Sequence, residues 1–259
     1  MNKYTESELI NALTVAGEEF GPQVTLKEYR KLDLEPSSTV ITRRLGDGSW
    51  LTARSKAGLD GTSQHHVEVN ESYFSNIDST EKSYWLGFFL GDGWVNGNTV
   101  GIILKKEDKN HVKKFHSEIN SKHKISERGD GGVGFQFRSD KTSSDLNQLG
   151  VGAEKTNSKN IPSIKNNLVS DFYRGWFDAD GSYHNQSNRV RLTSASYERL
   201  EKAQNQIPCK STLRNNNGAT VLDVTSLNEI KKLVSWMYPS GTNTTPTLDR
   251  KRNQACEYC

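Results

Sequence analysis

Apolar residues recur at helical spacing through the first sixty positions. Thr5 and Glu8 make a capping-box pair ahead of an apolar-periodic run that ends at Phe20, where Gly21-Pro22 stops it. Thr25 with Glu28 opens a second helix. Ser37 or Ser38 can cap a third, which turns Val40, Ile41 and Leu45 inward and Arg43 and Arg44 outward. A fourth follows Gly48-Ser49-Trp50 and ends at Gly58. Short helices joined by tight turns over residues 1–60 predict a small helical module resembling a helix-turn-helix unit. A bundle whose basic residues are merely solvated fits the same pattern. Residues 61–79 are polar and aperiodic and read as a linker; His65-His66 within it has no partner at metal-ligand spacing.

From Tyr84 the pattern repeats itself once. YWLGFFLGDGWV (Tyr84 to Val95) opens one copy and FYRGWFDADGSY (Phe172 to Tyr183) the other. Each is followed by a polar turn and an alternating strand, Thr99–Leu104 or Arg189–Thr193. A helix comes next, about His111–Ile119 or Glu198–Gln206. Lys124-Ile125-Ser126-Glu127-Arg128 and Lys210-Ser211-Thr212-Leu213-Arg214 hold matching places. A second strand follows, with Val133/Phe135/Phe137 set against Val221/Asp223/Thr225, then a second helix. Both copies close on a basic element, Glu154-Lys155-Thr156 and Asp249-Arg250-Lys251. The expected fold is α+β: a pseudo-two-fold duplicated αββαββα unit, with repeats at 80–166 and 167–259.

The opening segment of each repeat explains itself if two helices touch. Gly87 and Gly91 are four apart, as are Gly175 and Ala179, so each pair lies on one helix face. A mid-helix glycine costs roughly 1 kcal/mol relative to alanine, a cost that makes sense where another backbone must approach closely. Trp85, Phe88, Phe89, Trp176 and Phe177 would fill each half's own core. Both helices end in the same dipeptide, Asp92-Gly93 and Asp180-Gly181. Packed side by side and parallel, they would bring Asp92 and Asp180 together at their C-terminal ends, where the helix dipole disfavours a carboxylate. Two carboxylates some ~4 Å apart would also repel by around 4 kcal/mol at an effective dielectric near ~20. A divalent cation would offset that repulsion, and oxygen-only ligation favours Mg²⁺.

Composition narrows the setting. The hydrophobic fraction is 33% and the mean hydropathy −0.75, yet 34 basic residues balance 31 acidic ones, so the chain is not a disordered polyelectrolyte. The basic surplus falls after residue 160. No run of about 18 apolar residues is present and the N-terminus has no signal-peptide core, so no membrane partner is expected. Three cysteines imply a reducing, intracellular (cytoplasmic) setting without a disulfide framework.

At WLGFFLGDG (Trp85–Gly93) and YRGWFDADG (Tyr173–Gly181) the sequence resembles the LAGLIDADG family in its single-chain, two-repeat form, over roughly Ser79 to the C-terminus. The resemblance implies two αββαββα halves joined at the motif helices, with antiparallel sheets forming a saddle over DNA. It implies that Asp92 and Asp180 bind the metal, assisted by the main-chain carbonyls of Gly91 and Ala179, with Lys155 and Lys251 as the lysine near each active site. Lys105 and Arg191 are secondary additions. Sheet residues Gln136, Arg138, Arg189, Arg191, Arg214 and Thr225 would read the major groove. The first copy departs from the consensus in having Leu90 where the second has Asp178, at a position that supports packing rather than the metal. The N-terminal stretch, through PSSTVITRRLGDGSW and KAGL, is similar to a short helical repeat associated with some homing endonucleases, which would give Arg43 and Arg44 a DNA-binding role. The implied activity is a site-specific, Mg²⁺-dependent, double-strand DNA endonuclease, a monomer acting as a pseudo-dimer on a long non-palindromic target.

Two alternatives keep the fold: an RNA maturase that assists intron splicing, and a non-catalytic DNA-binding transcription regulator. The presence of both aspartates favours cleavage. Other sites fit less well: His184-Asn185 lacks a second histidine for an HNH centre, no Walker A motif occurs, and Cys256-Glu257-Tyr258-Cys259 lacks a second zinc-ligand pair. The start at Met1 and the absence of a terminal His-Asn favour a freestanding or intron-encoded frame over an intein.

Overall fold

A computed structural model describes residues 4–59, 67–153, 155, 159–216, 218–239 and 246–259. His65-His66, Glu154 and Thr156 lie outside the described residues. The chain divides into two compact units, 1–67 and 68–259.

Among its described residues the first unit holds four α-helices: α1 (Glu6–Phe20), α2 (Leu26–Tyr29), α3 (Ser38–Arg44) and α4 (Trp50–Lys56). Both expected capping boxes form, Thr5 with Glu8 and Thr25 with Glu28. Ser37 precedes α3 without a side-chain cap, whereas Ser49 accepts from the Thr52 amide at the start of α4. Leu9, Leu13, Ala16, Val24, Tyr29, Ile41, Leu45 and Ala53 make its core. Val40, expected inward, is only partly buried.

The second unit runs α5 (Thr80–Gly91), β1 (Gly93–Asn96), β2 (Thr99–Lys105), α6 (Lys109–Glu118), β3 (Ser126–Glu127), β4 (Gly132–Arg138) and α7 (Asp140–Gln148). The order then repeats with α8 (Val169–Asp180), β5 (Gly181–His184), β6 (Arg189–Ser194), α9 (Tyr197–Gln206), β7 (Thr212–Asn216), β8 (Ala219–Val224) and α10 (Leu227–Met237), followed by α11 (Asp249–Cys256). Each half is a four-stranded antiparallel sheet, in the orders β1-β2-β4-β3 and β5-β6-β8-β7. Helices cover one face of each sheet. In the first half Val100, Ile102, Val133, Phe135 and Phe137 point to that face, where the Phe115 ring makes tilted contacts with Trp85, Phe89 and Phe135. Residues of the other parity form the sheet's open face.

Two expectations need correction. Part of the segment read as linker, from Glu68 onward, is built into the second unit: Tyr73 and Phe74 are buried against Phe115, and the Asn70 amide donates to the Ile119 carbonyl. Two aromatics carry that packing, and an aperiodic polar stretch gave no pattern to reveal it. The match of β4 with β8 was also slipped by one residue. Gly93 pairs with Ile102 and Gly181 with Leu192, while Ile102 pairs with Phe135 and Leu192 with Leu222. The counterparts of Val133, Phe135 and Phe137 are therefore Thr220, Leu222 and Val224. A one-residue slip exchanges the faces of a strand, so Val221, Asp223 and Thr225 carry the open-face parity. The same registers make Ser126 the counterpart of Arg214.

Candidate active site

The motif helices α5 and α8 meet backbone to backbone. A Cβ added at Gly87 would lie 1.9 Å from the Phe172 carbonyl oxygen, and one at Gly175 would lie 1.9 Å from that of Tyr84. Gly87 and Gly175 are equivalent positions, as are Tyr84 and Phe172, so the contact is two-fold symmetric. Further along, a Cβ at Gly91 would sit 2.4 Å from that of Ala179 and 3.0 Å from Asp180 Oδ2. The crossing thus delivers Asp92 and Asp180 to one end of the helix pair, as the motif spacing predicts.

There the electrostatics favour a cation. Burial, reinforced by the neighbouring Asp92, raises the Asp180 carboxyl to about 6. Burial also raises Asp92, with Lys155, Lys251 and Arg250 opposing. Trp176 Nε1 donates to Asp180 Oδ2 at 3.3 Å.

Lys155 lies against the end of α5, where its Nζ donates to the carbonyls of Phe89 (2.9 Å), Gly91 and Gly93. Burial lowers its ammonium to about 8, although Asp180 and Asp92 oppose the shift. Lys251, on α11, donates to the Gly181 carbonyl. Because Gly181 is the counterpart of Gly93, the two lysines hold equivalent places, and burial lowers Lys251 as well. The carbonyls ending α5 already gather one cation, and a carbonyl keeps a second lone pair. Two desolvated carboxylates beside them form an oxygen donor set of the kind hard divalent cations take. Among the described residues no cluster of three His, Cys, Asp or Glu side chains adds to it.

Several supporting contacts are not visible in the sequence. Arg199 is buried and donates through Nη2 to the Lys155 carbonyl at 2.6 Å, fixing that residue's backbone. Arg250 reaches from α11 to the first half, where both oxygens of the buried Asp108 accept from Nε at 3.0 Å. Asp92, Lys105, Asp108 and Arg250 border a cleft of about 430 Å³. Asp178 is fully buried and accepts from Tyr84 Oη (2.7 Å), Tyr238 Oη (2.6 Å) and the Leu248 amide (2.7 Å). It anchors the start of α11 and so the approach of Lys251, a packing role as expected for this position. Its counterpart Leu90 is buried in the core. These pairings join positions 44 to 142 residues apart, which no local pattern encodes.

The proposed DNA readers separate into two groups. Gln136, Arg138, Arg189, Arg191 and Arg214 all project from the open sheet faces, and Thr225 continues that parity just beyond β8. Arg43 and Arg44 lie apart, on α3 of the first unit. Arg43 is exposed, and Arg44 donates to the Tyr4 carbonyl at 2.8 Å.

Two αββαββα repeats closed on paired motif helices match the fold of a solved LAGLIDADG meganuclease. Residues 167–235 match the family model of the LAGLIDADG-like domain. The LAGLIDADG meganuclease I-AabMI, solved bound to uncleaved DNA, is similar over 70% of this chain and 89% of its own, with a TM-score of 0.50 and 12% identity. I-DmoI in complex with DNA and Ca is similar over 68% of this chain and 95% of its own, at 21% identity and a TM-score of 0.47. In sequence, the replication factor C small subunit of Methanocaldococcus jannaschii is 25% identical over 208 residues, 77% of this chain and 10% of that protein. The chain spans about a tenth of the length of that relative. No helix among the described residues is long and apolar enough to cross a membrane.

Proposed function

We propose that the chain is a site-specific, divalent-metal-dependent DNA endonuclease in which Asp92 and Asp180 form one shared cutting centre. The observation that carries this reading is the convergence of two desolvated carboxylates at the end of the α5–α8 crossing, where burial disfavours both charges and Asp92 adds to the cost of charging Asp180. Paired aspartates kept in such a place work against local stability, as functional sites commonly do. The DNA-bound state of I-AabMI agrees with a nucleic-acid partner.

Asp92 and Asp180 would hold Mg²⁺, with the Gly91 and Ala179 carbonyls as further oxygen donors. Bound there, the metal would activate water and neutralise charge on the leaving oxygen. Lys155 and Lys251 would place ammonium groups against the phosphate as negative charge develops. The two sheets would straddle the duplex as a saddle, with Gln136, Arg138, Arg189, Arg191, Arg214 and Thr225 toward the major groove. Because the open faces differ in sequence, one chain acting as a pseudo-dimer would take a long, non-palindromic target.

The test is to incubate the protein with a randomised duplex library and Mg²⁺ and to sequence the ends. Double-strand breaks at one recurrent sequence are expected, and Asp180→Asn should abolish them while still retaining the same duplexes. Unaltered cutting by Asp180→Asn would remove the assignment.

The first unit, residues 1–60 in this reading, would add a second DNA contact through α3. Arg43→Ala is expected to weaken binding equally across sequences and to reduce the dependence of log Kd on log salt by about 1. An unchanged salt slope would exclude Arg43 from the interface.

A further inference from the structure

On the open face of the second sheet, three charged side chains from three strands form one unit. Arg191 on β6 is paired directly with Asp223 on β8, and Arg214 on β7 stands diagonally opposite. Arg191 donates from Nε to Asp223 Oδ1 at 2.8 Å and from Nη2 to Oδ2 at 3.2 Å, and Arg214 Nη2 donates to the same Oδ2. The Asp223 side chain is 0% exposed beneath them, while those of Arg191 and Arg214 are 22% and 53% exposed. The two guanidinium groups outweigh the cost of burial and hold its carboxyl below the usual range. The open face of the first sheet is built otherwise at the same places. There the Trp94 indole lies across Gly101, whose added Cβ would come within 2.4 Å of the ring, and Gln136 stands where the second sheet has Asp223.

We infer that Asp223 is a positioning residue that sets Arg191 and Arg214 as a guanine reader, confining a guanine preference to the half of the target beneath the second repeat. The inference rests on the DNA-cleaving function proposed above. One carboxylate beneath two guanidinium groups leaves a net positive charge fixed on the open face. A pair built only for stability would leave no such surplus. After Asp223 has taken its bonds, both arginines keep further N–H donors and offer no acceptor. Guanine presents two acceptors, N7 and O6, on its major-groove edge, whereas adenine and cytosine each place an amino donor there. An arginine already held in one rotamer also loses less freedom on binding than a solvated one.

The experiment is selection of bound duplexes from a randomised library by the full-length protein, with Ca²⁺ in place of Mg²⁺, and sequencing of the retained pool. The wild type should enrich guanine by about 10-fold or more at one or two positions in one half of the site. Asp223→Asn should flatten those positions to below about 3-fold while the rest of the site keeps its enrichment. Arg214→Gln, at a half-exposed position, should flatten at least one of them and serves where Asp223→Asn does not fold. Weaker binding by these variants with the guanine preference intact would overturn the inference, giving Asp223 a purely structural role. A wild-type pool with a defined site but no such guanine would likewise overturn it, as expected if the arginines met phosphates. Both results would leave the cleavage function standing. A pool with no enriched duplex would refute that function, and this inference with it.

Discussion

At the scale of single residues, the proposed site works against stability, and Asp180 shows it most clearly. Burial raises its carboxyl to about 6 from an ordinary 3.8, so the folded chain holds that proton more tightly than the unfolded chain. The resulting contribution is full below pH ~3.8 and is lost as the pH rises through ~6. At pH 8 without divalent cations, Asp180→Asn is therefore expected to melt higher than the wild type, by ~5 °C, and the gap should close below pH ~4. Adding Mg²⁺ should raise the melting temperature of the wild type and not of the variant. Thermal melts across pH, with and without Mg²⁺, measure both effects. A variant less stable at pH 8 would show that the ionised carboxylate is well accommodated and needs no cation.

At the scale of elements, the α5–α8 crossing sets the geometry, and it was the most legible part of the sequence. Gly87, Gly175, Asp92 and Asp180 are spaced alike within two short windows, and close helix contact has few other uses for such glycines. Gly175→Ala places a methyl carbon 1.9 Å from the Tyr84 carbonyl, so the helices must separate. We expect a loss of ~3 kcal/mol in urea unfolding together with slower cleavage. Gly129→Ala, whose new carbon meets nothing within 4 Å, should change stability by no more than ~0.5 kcal/mol. Equal effects at the two positions would argue against the close crossing. Strand faces are less legible than helix faces. β8 (ATVLDV) is nearly continuous in its apolar residues, so the pattern alone could not say which parity faces the helices. The pattern therefore aligns Asp223 with the core residue Phe135, whereas the strand registers make Gln136 its counterpart. Arg199, Arg250, Asp108 and the Asp178 anchor were illegible for another reason: each acts through a partner that only the folded chain brings near. The equivalent placing of Lys155 and Lys251 is legible because both stand in the basic element that closes a repeat.

At the scale of the whole molecule, duplication is what makes the centre. Neither half alone contains two carboxylates at the motif-helix end, and each supplies one to a place defined by the other. The C-terminal segment strengthens that dependence. Lys114 on α6 pairs with Asp249 at 2.9 Å, and Arg250 crosses to Asp108. The halves have also diverged around the shared centre. Asp178 anchors the chain leading to Lys251, whereas Arg199 holds the backbone of Lys155. The open sheet faces differ as well, consistent with two unlike half-sites. The most direct measurement is anomalous diffraction from crystals of the full-length protein soaked in Mn²⁺. The account predicts a peak contacted by carboxylate oxygens of both Asp92 and Asp180, absent from Asp180→Asn crystals treated alike. Density confined to other sites, or two carboxylates facing different surfaces, would contradict it.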